Sequence, residues 1–231
     1  MQEEQRRETP FAFDRRKPYV TWIIIGVTVA VFLVEMLLNA TEDMRILVIM
    51  GAKYNPLITL GQYWRLLTPA LLHGSIVHIA MNMISLYMWG PTIELLYGKW
   101  KMLAIYVMSA VMGTAFSYAI SPALSVGASG AIFGLFGTIL SFGRDNKAFF
   151  KKVFGSRFLI LIGVNVAYGL MNTGIDIWAH LGGLVGGYLA AEILGTYKRP
   201  RTSWRMIAST AGYILVIMLI LIRGKILNTG F

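Results

Sequence analysis

The chain has 231 residues, 56% of them hydrophobic and 14% charged, with a mean hydropathy of +0.63. Soluble globular domains carry about 25% charged residues, so a protein lying wholly in water is excluded. There is no cysteine, which excludes disulfides, thiolate metal sites and a cysteine nucleophile.

Residues 1–18 read as a short charged tail. The apolar run that follows is long enough to span a bilayer, so it predicts a retained helix rather than a cleaved signal. Apolar runs approaching the ~20 residues a membrane helix needs predict spans at about 19–39, 74–97, 102–120, 125–143, 158–172, 177–195 and 206–223. The segment 40–73 is too polar and broken to cross, yet it holds apolar pieces and Trp64, and is expected to be a loop dipping partly into the membrane. No solenoid-like repeat or low-complexity tract interrupts this pattern. The expected class is all-α, a polytopic membrane protein in one domain.

Lys and Arg concentrate in cytoplasmic loops. With the N-terminus inside, sixteen of the 21 basic residues fall in inner segments, around Arg6–Lys17, Lys99–Lys101, Arg144–Arg157 and Lys198–Arg205. Only Arg45, Lys53, Arg65, Arg223 and Lys225 remain outside. The net charge of +10 thus reads as a topology signal and an attraction to anionic lipid headgroups, and nucleic acid is set aside as a partner.

In this topology the second, fourth and sixth spans all start at the outer face. Ser129 is placed about four residues into the fourth and His180 about three into the sixth, roughly 5–7 Å deep at 1.5 Å per residue. His78 lies at similar depth in the second, with Asn82 one turn further along the same helix face. Polar groups are costly in lipid and tend to face inward and partner one another. A hydroxyl is a weak nucleophile until a base takes its proton, and an imidazole is the usual base. His78 and Asn82 could then donate to the oxyanion of a tetrahedral intermediate together with the Ser129 N–H, each donor contributing about 2.7–4 kcal/mol.

Each motif also has a structural reading. Gly127-Ala128-Ser129-Gly130, continuing to Phe133-Gly134, is rich in small residues, which at four-residue spacing let membrane helices approach. Gly130 and Gly134 suit that packing role whatever Ser129 does. Ala179-His180-Leu181-Gly182-Gly183, continuing to Gly187, offers a second such face, and a lone histidine in an apolar helix is commonly structural. His73-Gly74-Ser75-Ile76-Val77-His78, continuing to Asn82, can be a polar helix entrance with His73 at the interface and Asn82 bonding between helices.

Taken together, in order, these residues resemble the rhomboid family of intramembrane serine proteases. The resemblance runs from Trp64-Arg65 through His73, His78 and Asn82 to Gly127–Gly130 and Ala179-His180 with Gly183, and covers roughly residues 19–195. It implies a six-helix core over 19–195, followed by a basic loop and seventh span over 196–231, the six-plus-one form common among bacterial members. It further implies Ser129 as nucleophile, His180 as general base, and His78, Asn82 and the Ser129 amide at the oxyanion. Gly127 and Gly130 open the backbone around the hydroxyl. Trp64 and Arg65 match a pair in the first outer loop, for which a structural role is expected, and Glu94 matches an acid that ties that loop to the core. Where relatives often carry Tyr stacked on the catalytic imidazole, this chain has Phe133, which keeps the ring and loses the hydroxyl.

The expected activity is hydrolysis of a peptide bond in transmembrane protein substrates near the outer face of a bacterial plasma membrane. No cofactor is implied. His73, His78 and His180 lack the helical spacing of metalloproteases, so no metal site is expected. The alternatives are a catalytically silent rhomboid-like binder of membrane proteins, which would be expected to lack Ser or His, and a transporter, which would need polar residues through the full membrane depth.

Overall fold

The structure is a computed structural model that describes residues 17–172, 174–196 and 202–229. The tail over 1–16 and residues 197–201 of the expected inner loop lie outside that description. Among the described residues the fold is all helical: α1 Tyr19–Leu37, α2 Met44–Met50, α3 Asn55–Thr59, α4 Ile76–Tyr97, α5 Lys99–Ile120, α6 Ser129–Asp145, α7 Lys147–Val153, α8 Gly155–Met171, α9 Ile177–Leu194 and α10 Ser203–Asn228. Two 3-10 turns, Tyr63–Leu66 and Thr68–Leu71, complete the segment between α3 and α4.

A long helix stands at each of the seven expected places. Four of them, α1, α5, α9 and α10, are long and apolar enough to cross a membrane, and a fifth is if α7 and α8, bent by 74°, form one broken span. The protein is thus a multi-pass membrane protein. α6, at 17 residues, falls short of that length, and α4, at 22, of that apolarity, which departs from the even set of seven runs read from the sequence. The reason is their position. α6 is 17 residues long and buries all but four of them, so its surroundings are protein and it needs no lipid-facing surface. α4 carries His78, Asn82, Pro91 and Glu94 within its length.

The centre of the bundle is α5, α6 and α9, held close by small residues. A Cβ on Gly183 would sit 1.9 Å from the Gly130 carbonyl oxygen, and one on Gly187 would sit 1.9 Å from that of Gly134. Backbone therefore packs on backbone, as small-residue spacing predicts. At the end of this pair remote from Ser129, the buried Glu192 carboxylate accepts from Ser141 Oγ, from Arg144 at 2.6 Å and from Arg205 at 2.8 Å. That cluster joins α6, α9 and the start of α10. The other end of α10 is fixed by Asn55 Nδ2, which donates to Asn228 Oδ1 at 2.9 Å. α8 is packed more loosely, with only Phe158 and Gly169 buried.

Glu94 corrects one expectation. Its carboxylate accepts from the Val20 N–H at 2.9 Å, and from the Thr21 N–H and hydroxyl, both at 2.8 Å. It caps the start of α1 and does not reach the loop over 40–73. The first amides of a helix have no partner within it and attract negative charge. Because α1 and α4 run antiparallel, a carboxylate near the end of α4 meets the start of α1.

Candidate active site

Ser129 is the first residue of α6, not four residues inside it as the hydropathy pattern suggests. The apolar run begins earlier, but residues 121–128 are not helical. Lys53 and Ser125 form an isolated antiparallel bridge there, and Gly127 takes φ +126°, a conformation that stops a right-handed helix from starting sooner. Ser129 N–H is thus a helix-start donor without an intrahelical acceptor, at the positive end of the α6 dipole. His180 is the fourth residue of α9 and His78 the third of α4.

Three relationships bring these side chains together. A Cβ on Gly127 would stand 2.7 Å from His78 Nε2 and 3.7 Å from Ser129 Oγ, so the imidazole and the hydroxyl border the same small space. One turn beyond Ser129, the Phe133 ring lies on the His180 ring, with centroids 4.2 Å apart and planes 12° from parallel. Between them, a Cβ on Gly130 would meet the Ala179 carbonyl oxygen at 3.2 Å, so the residues next to Ser129 and His180 touch. Among the described residues no hydrogen bond joins Ser129 Oγ to His180. Catalytic hydrogen bonds are often long before substrate binds and tighten in the complex.

Asn82, buried on the same face of α4, donates Nδ2 to the His78 carbonyl at 3.1 Å, which leaves its second amide hydrogen for another acceptor. Ser75 caps α4 by accepting from the His78 N–H at 3.1 Å, and Asp176 caps α9 by accepting from the Ala179 N–H at 3.1 Å. Asp176 also accepts from Ser117 Oγ. Both histidine-bearing helices therefore have their first turns fixed by a side chain, which sets the direction of the imidazole above it.

Trp64 and Arg65 stand apart from this cluster. Arg65 is buried and donates to the Val48 and Ala52 carbonyls at 2.6 and 3.0 Å and to Gln62 Oε1 at 2.7 Å. Its guanidinium lies 4.4 Å from the Trp64 ring centroid, which suits the structural role expected of the pair.

Several residues lie at the site in ways the sequence does not indicate. His73, read as an interfacial group, is fully buried at 0% exposure. Burial, with the His78 ring close by, pushes its pKa down to about 3. Glu35 in α1 is also fully buried, and its two oxygens accept from the His73 N–H at 3.1 and 3.2 Å. Lys53, buried in the loop, donates Nζ to the Ser121 and Ala123 carbonyls at 2.6 and 2.8 Å. The sequence held a signal for Asp176, an acid four residues ahead of His180 at a helix start. It held none for the burial of Lys53, which depends on where a loop folds back.

Fold and site together define a multi-pass helical membrane protein with a serine and two imidazoles gathered at one end of its bundle. The chain belongs to the rhomboid family: the Rhomboid domain matches residues 60–197. It is 36% identical over 208 residues, 90% of its length, to the protein named "Rhomboid protease GluP" of Bacillus subtilis (strain 168), and spans 41% of that protein. It is 34% identical over 150 residues to "Putative rhomboid protease YdcA" of the same organism, covering 64% of this chain and 75% of the relative. A more distant relative is "Rhomboid-like protease 1" of Toxoplasma gondii, 33% identical over 208 residues, covering 87% of this chain and 69% of the relative.

Proposed function

We propose that this protein is a serine endopeptidase that cleaves transmembrane segments of other membrane proteins near the outer membrane face. The observation that carries the reading is the Gly127 corner, where Ser129 Oγ and His78 Nε2 border one space beside an α6 start that supplies a free amide. His180, braced on Phe133, takes the proton from Ser129 as its oxygen attacks the carbonyl carbon. His78, Asn82 and the Ser129 N–H receive the oxyanion. His180 then delivers the proton to the leaving amine, and water, activated by the same imidazole, releases the acyl group. No cofactor enters this scheme. A substrate helix must unwind locally, since a helical carbonyl is hydrogen-bonded and shielded, so substrates with helix-weakening residues and a small residue before the cut are favoured.

The orientation proposed is N-terminus in the cytoplasm and active site toward the extracytoplasmic side, on the distribution of Lys and Arg. The polar residues deeper in α6 and α9 are engaged internally: Thr138 Oγ1 donates to the Gly134 and Gly187 carbonyls at 2.9 and 3.2 Å, and Ser141 pairs with Glu192. They are therefore poor material for a transport pathway. The test is incubation of the purified protein with a panel of tagged transmembrane substrates, beside Ser129→Ala and His180→Ala, with a serine-directed fluorophosphonate as a second readout. Cleavage and labelling are expected from the unaltered protein alone; cleavage that persists in both variants sinks the dyad.

A further inference from the structure

Three successive amides lead into the nucleophile, and the first two are already committed. Gly127 N–H donates to the Pro69 carbonyl at 2.8 Å. Ala128 N–H donates to His73 Nε2 at 3.4 Å, a long bond, and no other acceptor among the described residues receives it. The third, Ser129 N–H, a helix-start donor, has no acceptor among the described residues. Both acceptors belong to one short stretch ahead of α4, and Glu35 fixes that stretch from α1 by accepting the His73 N–H. Adjacent peptide planes turn about the two soft dihedrals of the Cα they share, and Ala128 holds φ −72° and ψ −7° at the entrance of α6, so an anchored Ala128 amide together with that helical geometry sets the direction of the Ser129 N–H.

We infer that His73 is a positioning residue for the oxyanion site, its Nε2 accepting the Ala128 N–H so that the Ser129 N–H points at the reacting carbonyl. This rests on Ser129 being the nucleophile. An accepting Nε2 requires a neutral ring with its proton on Nδ1. Nδ1 is buried with no hydrogen-bond partner among the described residues, so the tautomer is assigned by the accepting role of Nε2 alone. The His73 and His78 rings meet edge to face, with centroids 5.0 Å apart. His73 therefore touches both the turn that presents the Ser129 amide and the His78 ring opposite it.

Two measurements on the full chain in lipid bilayers test this. The first compares His73→Leu, which keeps bulk without an acceptor, with His73→Gln, whose side-chain oxygen reaches the Nε2 position. Loss of an aligned oxyanion donor costs about a hundredfold or more, so misalignment in His73→Leu is expected to lower kcat by about tenfold to a hundredfold. KM should change little, fluorophosphonate labelling should slow in parallel, and His73→Gln should restore most of the rate. Wild-type kcat in His73→Leu, or a His73→Gln as slow as His73→Leu at equal thermal stability, overturns the inference. The second is nitrogen NMR of histidine-labelled protein, with His73 assigned by substituting His78 and His180 in turn. It requires no folded His73 variant. A protonated Nδ1 and bare Nε2 are expected, and a protonated Nε2 overturns the inference. Cleavage that survives Ser129→Ala instead removes the protease reading, a result separable from either outcome at His73.

Discussion

Phe133 and His180 lie face to face, 4.2 Å between ring centroids, although they come from different helices. Phe133 is one turn along α6 from Ser129, so the ring that packs on the imidazole and the hydroxyl proposed as its partner belong to the same rigid element. The stack orients His180 without a carboxylate partner on Nδ1, which is buried with no hydrogen bond. An aromatic pair of this kind is worth about 0.5–1.5 kcal/mol beyond its buried area, or about two- to tenfold in rate. Phe133→Leu is therefore expected to lower kcat by about that factor, and Phe133→Tyr to leave it within about twofold. Steady-state cleavage of one substrate by all three proteins checks this, and a Phe133→Leu as fast as the parent removes the orienting role.

Gly127 makes a sharper test, because two independent constraints meet there. Its φ of +126° is strained for any residue with a Cβ, and that Cβ would stand 2.7 Å from the His78 ring. Gly127→Ala must therefore push His78 aside or turn the peptide ahead of Ser129, and either change would spoil the proposed oxyanion site. A loss of about a hundredfold or more in kcat is expected, with the helices intact by circular dichroism. Gly26, where a Cβ would meet nothing within 4 Å, is the control, and Gly26→Ala should behave as the parent.

Much of this arrangement was legible in the sequence, and what was not has physical reasons. Helix positions follow from apolar runs, and packing faces at Gly130 and Gly134 and at Gly183 and Gly187 follow from four-residue spacing; that the two faces meet each other is shown only by the fold. Hydropathy starts α6 too early, near residue 125, because it sees apolar character and not the left-handed turn at Gly127. The resemblance points Glu94 to the loop and not to the start of α1, since its partner depends on which helix start lies beside the end of α4. The depth of His73 was missed because burial of a loop histidine is decided by Glu35 and the α6 entrance, both distant in sequence.

Glu192 separates stability from chemistry. Its carboxylate is 4% exposed and holds two arginines from different segments at the end of the bundle remote from Ser129. Hydrogen bonds to charged groups contribute about 1.5–3 kcal/mol, and Arg144 is 42% exposed, which places Glu192→Gln toward the low end. Thermal unfolding in detergent should show a loss of about 1.5 kcal/mol, while kcat well below the unfolding transition stays at the parent value. An equal fall in kcat at low temperature would show that this cluster reaches the site.

Lys53 links stability to alkaline pH. It is fully buried in the loop between α2 and α3, and burial lowers its pKa to about 8, partly opposed by the charge of Asp176. An unfolded lysine titrates near 10.4. Between those values the unfolded chain holds a proton that the folded chain has released, so stability rises with pH across the window. Below pH ~8 the penalty for burying the ammonium is present in full, and above pH ~10.4 it has gone. The neutral amine keeps two N–H donors, enough for the Ser121 and Ala123 carbonyls, so deprotonation costs neither bond. Lys53→Met should flatten the rise, which amounts to at most about 3 kcal/mol, when the two proteins are unfolded side by side from pH 7 to 10.5. Parallel stability curves for the parent and Lys53→Met would mean that the buried side chain carries its charge at no cost, and the loop would then need another source of tolerance for an ammonium held among carbonyls.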